Sequence, residues 1–133
     1  MNTHKTTVFL LLIALTLSSE VYQRLENNID PEAKCLDGST PKVFVHQGSA
    51  PDRILIYLFG NTSCMTGNTH EDNMNNCVKL SKSRFGSSKF MPETMDPTGL
   101  GMLDMHEQTN KFSTWTKILI PNCDGTHYQG YNK

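Results

Sequence analysis

The chain has 133 residues, a formal net charge of −1, 37% hydrophobic residues and four cysteines. That length accommodates one domain at most. The near-neutral balance, with no charge run or basic stripe, argues against nucleic acid or an anionic membrane surface as a partner.

The first segment reads as a targeting signal. His4 and Lys5 lie in a short polar start, Val8 to Leu17 is apolar apart from Thr16, and Ser18 and Ser19 precede Glu20. A basic start, a short apolar run and small residues predict a secretory signal peptide over residues 1–19, cleaved after Ser18 or Ser19. The apolar run falls well short of the roughly 20 residues that span a bilayer. Secretion keeps Cys35, Cys64, Cys77 and Cys123 in an oxidising compartment, so disulfides are expected. Four cysteines allow three pairings, and cysteine arithmetic alone does not choose. A zinc site is the weaker reading, because no Cys-x-x-Cys occurs and no histidine sits at ligand spacing beside a cysteine. No metal or cofactor is predicted.

Residues 20–34 form a polar lead-in, expected to be irregular or a frayed helix. Cys35 to Pro41 (CLDGSTP) is dense in turn formers, and Asp37-Gly38 favours a tight turn. Lys42–His46 is a strand candidate with Val43 and Val45 on one face. Gln47–Asp52 reads as a turn. Arg53–Phe59 (RILIYLF) is nearly all apolar, which predicts a central strand buried on both faces. Gly60–Gly67 is a loop. Thr69 to about Arg84 reads as a helix, capped by Thr69 with Asp72 three residues on and stopped by Gly86. Phe90–Lys111 holds Pro92, Pro97, Gly99 and Gly101 and reads as loop. Lys117–Ile120 is a third strand, closed by Pro121, and Asp124-Gly125 turns the chain again. Strand, strand, helix, long loop, strand is the opening of an α/β sheet.

Several strings then line up with one family. Cys35-Leu36-Asp37-Gly38-Ser39-Thr40-Pro41 resembles the opening Cys-Leu-Asp-Gly-Ser-Pro-Pro of the pectin acetylesterases, the family that includes Notum. Leu55-Ile56-Tyr57-Leu58 with Gly60 and Cys64 resembles Trp-Leu-Ile-His-Leu-Glu-Gly-Gly-Gly-Trp-Cys. Cys77 followed by Arg84-Phe85-Gly86-Ser87-Ser88-Lys89-Phe90-Met91 is similar to Cys…Arg-Leu-Gly-Ser-Ser-Lys-Tyr-Met. Thr98-Gly99, Phe112, Trp115 and Cys123-Asp124-Gly125 match Thr-Gly-Ile, a Trp-containing approach to a strand, and Tyr-Cys-Asp-Gly. The resemblance implies the N-terminal part of an α/β-hydrolase-like (flavodoxin-like) sheet, incomplete within residues 35–133. It implies hydrolysis of a carboxylic ester by a Ser-His-Asp triad, with acetylated cell-wall polysaccharide as substrate and an extracellular location. It also implies the pairings Cys64–Cys77 and Cys35–Cys123.

Triad chemistry needs an activated hydroxyl, a base and oxyanion donors. The nucleophile string Gly-x-Ser-x-Gly does not occur. Ser63 is in a loop, and Ser87 and Ser88 match a non-catalytic family segment. His46 ends a strand, His70 lies in the first turn of a helix, and His127 matches no family histidine. His106 beside Asp104 and Glu107 reads as a solvated loop cluster. By the resemblance, the family's nucleophile, Asp and His fall beyond Lys133, so the chain is expected to be truncated and inactive alone. The one family element expected inside it is the oxyanion-hole loop after the second strand, at Gly60 and Asn61. There Asn61, Thr62 and Ser63 replace Gly, Gly and Trp, and Asn61-Thr62-Ser63 is an N-glycosylation sequon. The alternative is a secreted, non-catalytic glycan- or protein-binding remnant.

Overall fold

The computed structural model describes residues 21–26, 30–60, 63–105 and 110–129. The predicted signal peptide, Asn61 and Thr62, and His106 with Glu107 lie outside the described residues. The strands are β1 (Tyr22–Glu26), β2 (Lys42–His46), β3 (Ala50–Phe59), β4 (Thr94–Met95) and β5 (Trp115–Pro121). One α-helix, α1, covers His70–Leu80, and two 3-10 turns cover Ser88–Phe90 and Gly101–Leu103. The strands form one mixed sheet in the order β3-β5-β2-β1-β4. Only β3 and β5 run parallel; the other three pairings are antiparallel.

The lead-in corrects the sequence reading, because residues 22–26 are a strand. Its inward face carries polar groups, so hydrophobic alternation does not reveal it. Tyr22 is fully buried and its hydroxyl donates to the Leu103 carbonyl at 3.0 Å. Arg24 donates to the Met91 carbonyl at 2.9 Å and pairs with Glu93. Leu25, the apolar residue between such positions, points outward. A tyrosine and a paired arginine thus do the inward packing that apolar residues usually do.

β2 forms where predicted. Phe44 is its buried residue, stacked in register between Arg24 of β1 and Leu119 of β5, and Val43 and Val45 share the other face. The predicted turn over Gln47–Asp52 is shorter than expected, since β3 starts at Ala50. The ladder with β5 slips between Ala50 and Ile54. Pro51 falls inside that irregularity, where a missing N–H removes no ladder bond.

The buried interior strand of the parallel pair is β5, not β3. Lys117 at its middle is completely buried, as is Leu119. A charged residue at that position hides the strand's burial from an apolar-run reading. Its ammonium lies 3.5 Å from the Asp104 carbonyl. Burial lowers the lysine's pKa, and the Asp104 charge partly opposes the change. β3 occupies the sheet edge. Leu55, Tyr57 and Phe59 pack against the core cluster, while Ile54, Ile56 and Leu58 are 55%, 60% and 57% exposed. The expectation of burial on both faces therefore fails for these residues.

α1 has the predicted cap. The Asp72 amide donates to Thr69 Oγ1 at 3.1 Å, and the Thr69 amide donates to an Asp72 carboxylate oxygen at 3.2 Å. This reciprocal pair satisfies two amides that the first turn leaves open. The helix ends at Leu80, four residues earlier than predicted, with Ser81 as its C-cap. Gly86 still has a structural reason. A Cβ there would sit 2.5 Å from the Leu80 carbonyl oxygen, so the chain turns back against the helix end. No residue of α1 is buried. Its attachment comes from the Cys64–Cys77 disulfide and from the Asn73 side chain, which accepts from the Gly67 amide at 2.7 Å.

Candidate functional site

β3 and β5 run parallel, so their C-terminal ends meet at one rim. In parallel α/β sheets ligands bind outside the carboxyl ends of strands. The rim here is built by Gly60 and Ser63 to Met65 on one side and Asn122 to Tyr128 on the other. Several bonds hold the two segments together. The Asn122 amide donates to the Phe59 carbonyl at 2.9 Å, and the Cys64 amide donates to the Gly125 carbonyl at 3.0 Å. The Ser63 hydroxyl donates to the same Gly125 oxygen at 3.2 Å. Ser63 Oγ in turn accepts from the Met65 amide at 3.1 Å.

The predicted turn at Asp124-Gly125 sits at the heart of this rim. The Asp124 carboxylate accepts from the Thr126 amide at 2.8 Å and from the Thr126 hydroxyl at 3.0 Å. Gly125 has φ +72°, and a Cβ there would lie 2.8 Å from Leu36 Cδ1 and 2.9 Å from Cys64 Sγ. Gly125→Ala therefore meets both a left-handed backbone and a blocked space. We expect it to destabilise the chain by about 2–3 kcal/mol, read as a drop in melting temperature. Gly38→Ala, also at positive φ (+80°) but with open space around it, is expected to cost only about 1 kcal/mol. Equal effects of the two substitutions would refute the packing role assigned to Gly125.

Tyr128 is the rim residue that sequence reasoning missed. It and His127 both have positive φ, 64° and 57°. Its hydroxyl is within hydrogen-bonding distance of the Phe59 and Ile120 carbonyls, at the ends of β3 and β5, and its single proton serves one at a time. The ring edge lies 3.4 Å from where a Gly60 Cβ would be. Burial, then the Asp124 charge, pushes the phenol up to about 12, so it stays protonated at neutral pH. Beside it opens a crevice of about 990 Å³, lined by Lys34, Pro41, Ile120, Asp124, Thr126 and Tyr128 among others.

A second cluster explains two of the motif strings at once. Asp37 accepts from the Ser39 amide at 3.0 Å and the Ser39 hydroxyl with one oxygen, and from the Ser87 hydroxyl at 2.7 Å with the other. Lys89 Nζ lies 3.1 Å from that second oxygen. The Ser88 amide donates to Ser39 Oγ at 3.0 Å, and the Asp37 amide donates to the Gly86 carbonyl at 3.2 Å. The Cys-Leu-Asp-Gly-Ser and Gly-Ser-Ser-Lys strings are thus two halves of one polar lock. Burial works against the Asp37 charge, but the Ser39 and Ser87 hydrogen bonds with Lys89 outweigh it and hold the carboxyl well below the usual range.

Ser87 and Ser88 are buried and Ser63 serves the rim. Among the described residues no serine hydroxyl hydrogen-bonds a histidine. His46 is half-buried beside the Tyr22 ring, 5.9 Å between centroids, and burial with the Lys117 charge lowers its pKa. His70 and His127 are exposed. The Asp104 carboxylate accepts from the Gly99 amide at 2.7 Å. Among the described residues no group of three His, Cys, Asp or Glu side chains is placed to hold a metal ion. The disulfides join Cys35 to Cys123 and Cys64 to Cys77, the pairing that the resemblance implies.

The mixed sheet, with its parallel β3–β5 pair and a turn-built rim at the carboxyl end, is part of an α/β-hydrolase-like fold. The Wnt deacylase Notum from Drosophila shares this fold, with a TM-score of 0.65 at 21% identity over 80% of this chain and 29% of that one. The pectinacetylesterase family model matches residues 18–133, and the chain belongs to that family. Pectin acetylesterase 4 of Arabidopsis thaliana is 31% identical over 122 residues, 90% of this chain and 26% of the relative. Pectin acetylesterase 5 of the same plant is 30% identical over 121 residues, with 90% and 25% covered. The chain therefore spans about a quarter of the length of the curated relatives it matches.

Proposed function

We propose that this chain supplies the first quarter of a secreted carboxylic ester hydrolase that deacetylates cell-wall pectin, and that residues 20–133 alone do not turn over ester. The observation carrying the reading is the family match over residues 18–133 joined to the rim, where Gly60 ends β3 beside the Gly125 turn. In α/β hydrolases the loop after this strand gives an oxyanion-hole amide, and in this reading Gly60 with Asn61 is its counterpart. Asn61 in its sequon is the proposed glycosylation position. Residues 1–19 act as the signal peptide in this reading, and the two disulfides fit an oxidising, extracellular location. No helix among the described residues is long and apolar enough to cross a membrane.

Inactivity of residues 20–133 follows from the chemistry. Acyl transfer requires a hydroxyl whose proton a nearby base removes; Ser39, Ser87 and Ser88 belong to the lock, Ser63 to the rim, and Ser81 and Ser83 donate to the Val78 and Leu80 carbonyls at the end of α1. The test is a secreted, oxidised preparation of residues 20–133 treated with a fluorophosphonate probe and with acetylated pectin. We expect no serine adduct and no acetate release. An adduct at any serine, accompanied by turnover, overturns the inactivity. If the same residues are joined to the other three quarters of a family member, acetate release is expected; failure of a folded, full-length hybrid on every acetyl ester sinks the esterase reading.

A further inference from the structure

Asn122 is a polar side chain that the fold buries without satisfying. It is 5% exposed, and neither Nδ2 nor Oδ1 of its amide has a hydrogen-bond partner among the described residues. Its main-chain amide is engaged, donating to the Phe59 carbonyl at 2.9 Å. An amide buried with both its donor and its acceptor open is costly, and such a group marks a partner still to be supplied.

The same residue lines a hollow of about 130 Å³ on the inward face of the sheet. Strands β2, β3 and β5 form one side of the hollow and the 84–95 segment forms the other. Phe44, Phe59, Phe85, Met91, Met95 and Leu119 make its walls. Phe44 and Leu119 are register partners, and both are buried. No acidic side chain lines the hollow; Arg84 does, with its guanidinium 5.0 Å from the centre of the Phe85 ring.

Size and surface decide what fits. Apolar walls hold water poorly, and an engineered apolar cavity of about 150 Å³ takes a benzene molecule. Three phenylalanine rings and two thioethers favour an aromatic guest over an aliphatic one. The Asn122 amide offers a donor and an acceptor side by side, and a phenolic hydroxyl both donates and accepts. The family string Tyr-Cys-Asp-Gly carries tyrosine at the place of Asn122, so asparagine leaves out a phenol ring at this position.

We propose that the hollow at Asn122 binds a small monocyclic phenol, with the ring against Phe44, Phe59 and Met91 and the hydroxyl on the Asn122 amide. This site is independent of ester hydrolysis.

The test titrates the secreted, oxidised chain, labelled at its methionine methyl groups, with p-cresol and with toluene. Saturable p-cresol binding with a dissociation constant below about 1 mM is expected, with the largest resonance shifts at Met91 and Met95. An apolar hollow without the amide prefers toluene, the more hydrophobic of the two. The amide reverses that order, so p-cresol is expected to bind about fivefold more tightly or better. Asn122→Ala keeps the walls and removes the amide; it is expected to bind toluene and to lose the preference for p-cresol. Asn122→Tyr places its own ring in the hollow and is expected to abolish p-cresol binding. Should a variant fail to fold, the wild-type order of the two ligands decides by itself. Absence of saturable binding, a wild-type preference for toluene, undiminished binding by folded Asn122→Tyr, shifts centred on the Tyr128 crevice, or a dimer that closes the hollow to p-cresol each overturns the proposal.

Discussion

Replacing Cys35 and Cys123 by serine is expected to abolish the cooperative thermal transition of residues 20–133. The bond closes a loop of 88 residues in sequence separation, against 13 for Cys64–Cys77. In the chain-entropy picture the first stabilises by about 4.5 kcal/mol and the second by about 3 kcal/mol. Small domains have roughly 5–15 kcal/mol in total, and this one has a thin core of Tyr22, Phe44, Met91, Leu103 and Leu119 beside the cysteines themselves. Both Cys35 and Cys123 are buried within it. The bond also holds in place the segment where the Leu36 amide donates to the Cys123 carbonyl at 2.9 Å. Near-UV circular dichroism and a thermal melt of the secreted variant check the prediction. A Cys64→Ser, Cys77→Ser variant is expected to keep a transition at lower temperature, because that bond anchors a helix with no buried residue. The prediction fails if the Cys35, Cys123 variant melts as sharply as the wild type, or if the second variant is the more damaged.

How much of this was legible in the sequence depends on where each element gets its stability. β2 and the α1 cap were readable because their signals are local: an apolar stretch in one, Thr69 and Asp72 in the other. β1 was not, because its inward residues are Tyr22 and Arg24, whose partners lie more than sixty residues away at Leu103, Met91 and Glu93. β4 is two residues long and exists only through its pairing with β1. β3 and β5 exchanged roles. The apolar run occupies the sheet edge, while its interior neighbour buries a lysine beside Asp104. Periodicity measures the apolar surface a strand offers, and the outer face of β3 finds no cover among the described residues. The site was legible in part. The Gly60 loop and the Asp124-Gly125 turn were both marked by turn chemistry, but that they meet at one rim is a fact of parallel pairing over some sixty residues. Tyr128 carried no signal beyond its position after that turn.

The polar lock gives the second large effect, and its sign can be worked out in advance. Asp37 has its carboxyl depressed in the folded chain, so it favours the folded state wherever it is ionised there. That stability is fully present above the ordinary aspartate value of about 3.9. It is lost progressively as pH falls below that value toward the folded one. Asp37→Ala removes the acceptor for Ser39 and Ser87 and the counter-charge for Lys89 together. Ser87 is fully buried, so its hydroxyl loses its partner without gaining water. Hydrogen bonds to a charged group contribute about 1.5–3 kcal/mol each, not additively. A loss of about 3 kcal/mol at pH 7 is expected, close to that of the shorter disulfide. Asp37→Asn keeps the shape but not the charge, and is expected to fall between the wild type and Ala. Its melting temperature should also lose most of the wild-type dependence on pH between about 4 and 2, so that wild type and Asp37→Asn converge in acid. Chemical denaturation at pH 7 and melts across the acid range measure both features. Parallel acid profiles for the two proteins would show that the Asp37 charge does not fasten the Ser39 turn to the Ser87–Lys89 segment.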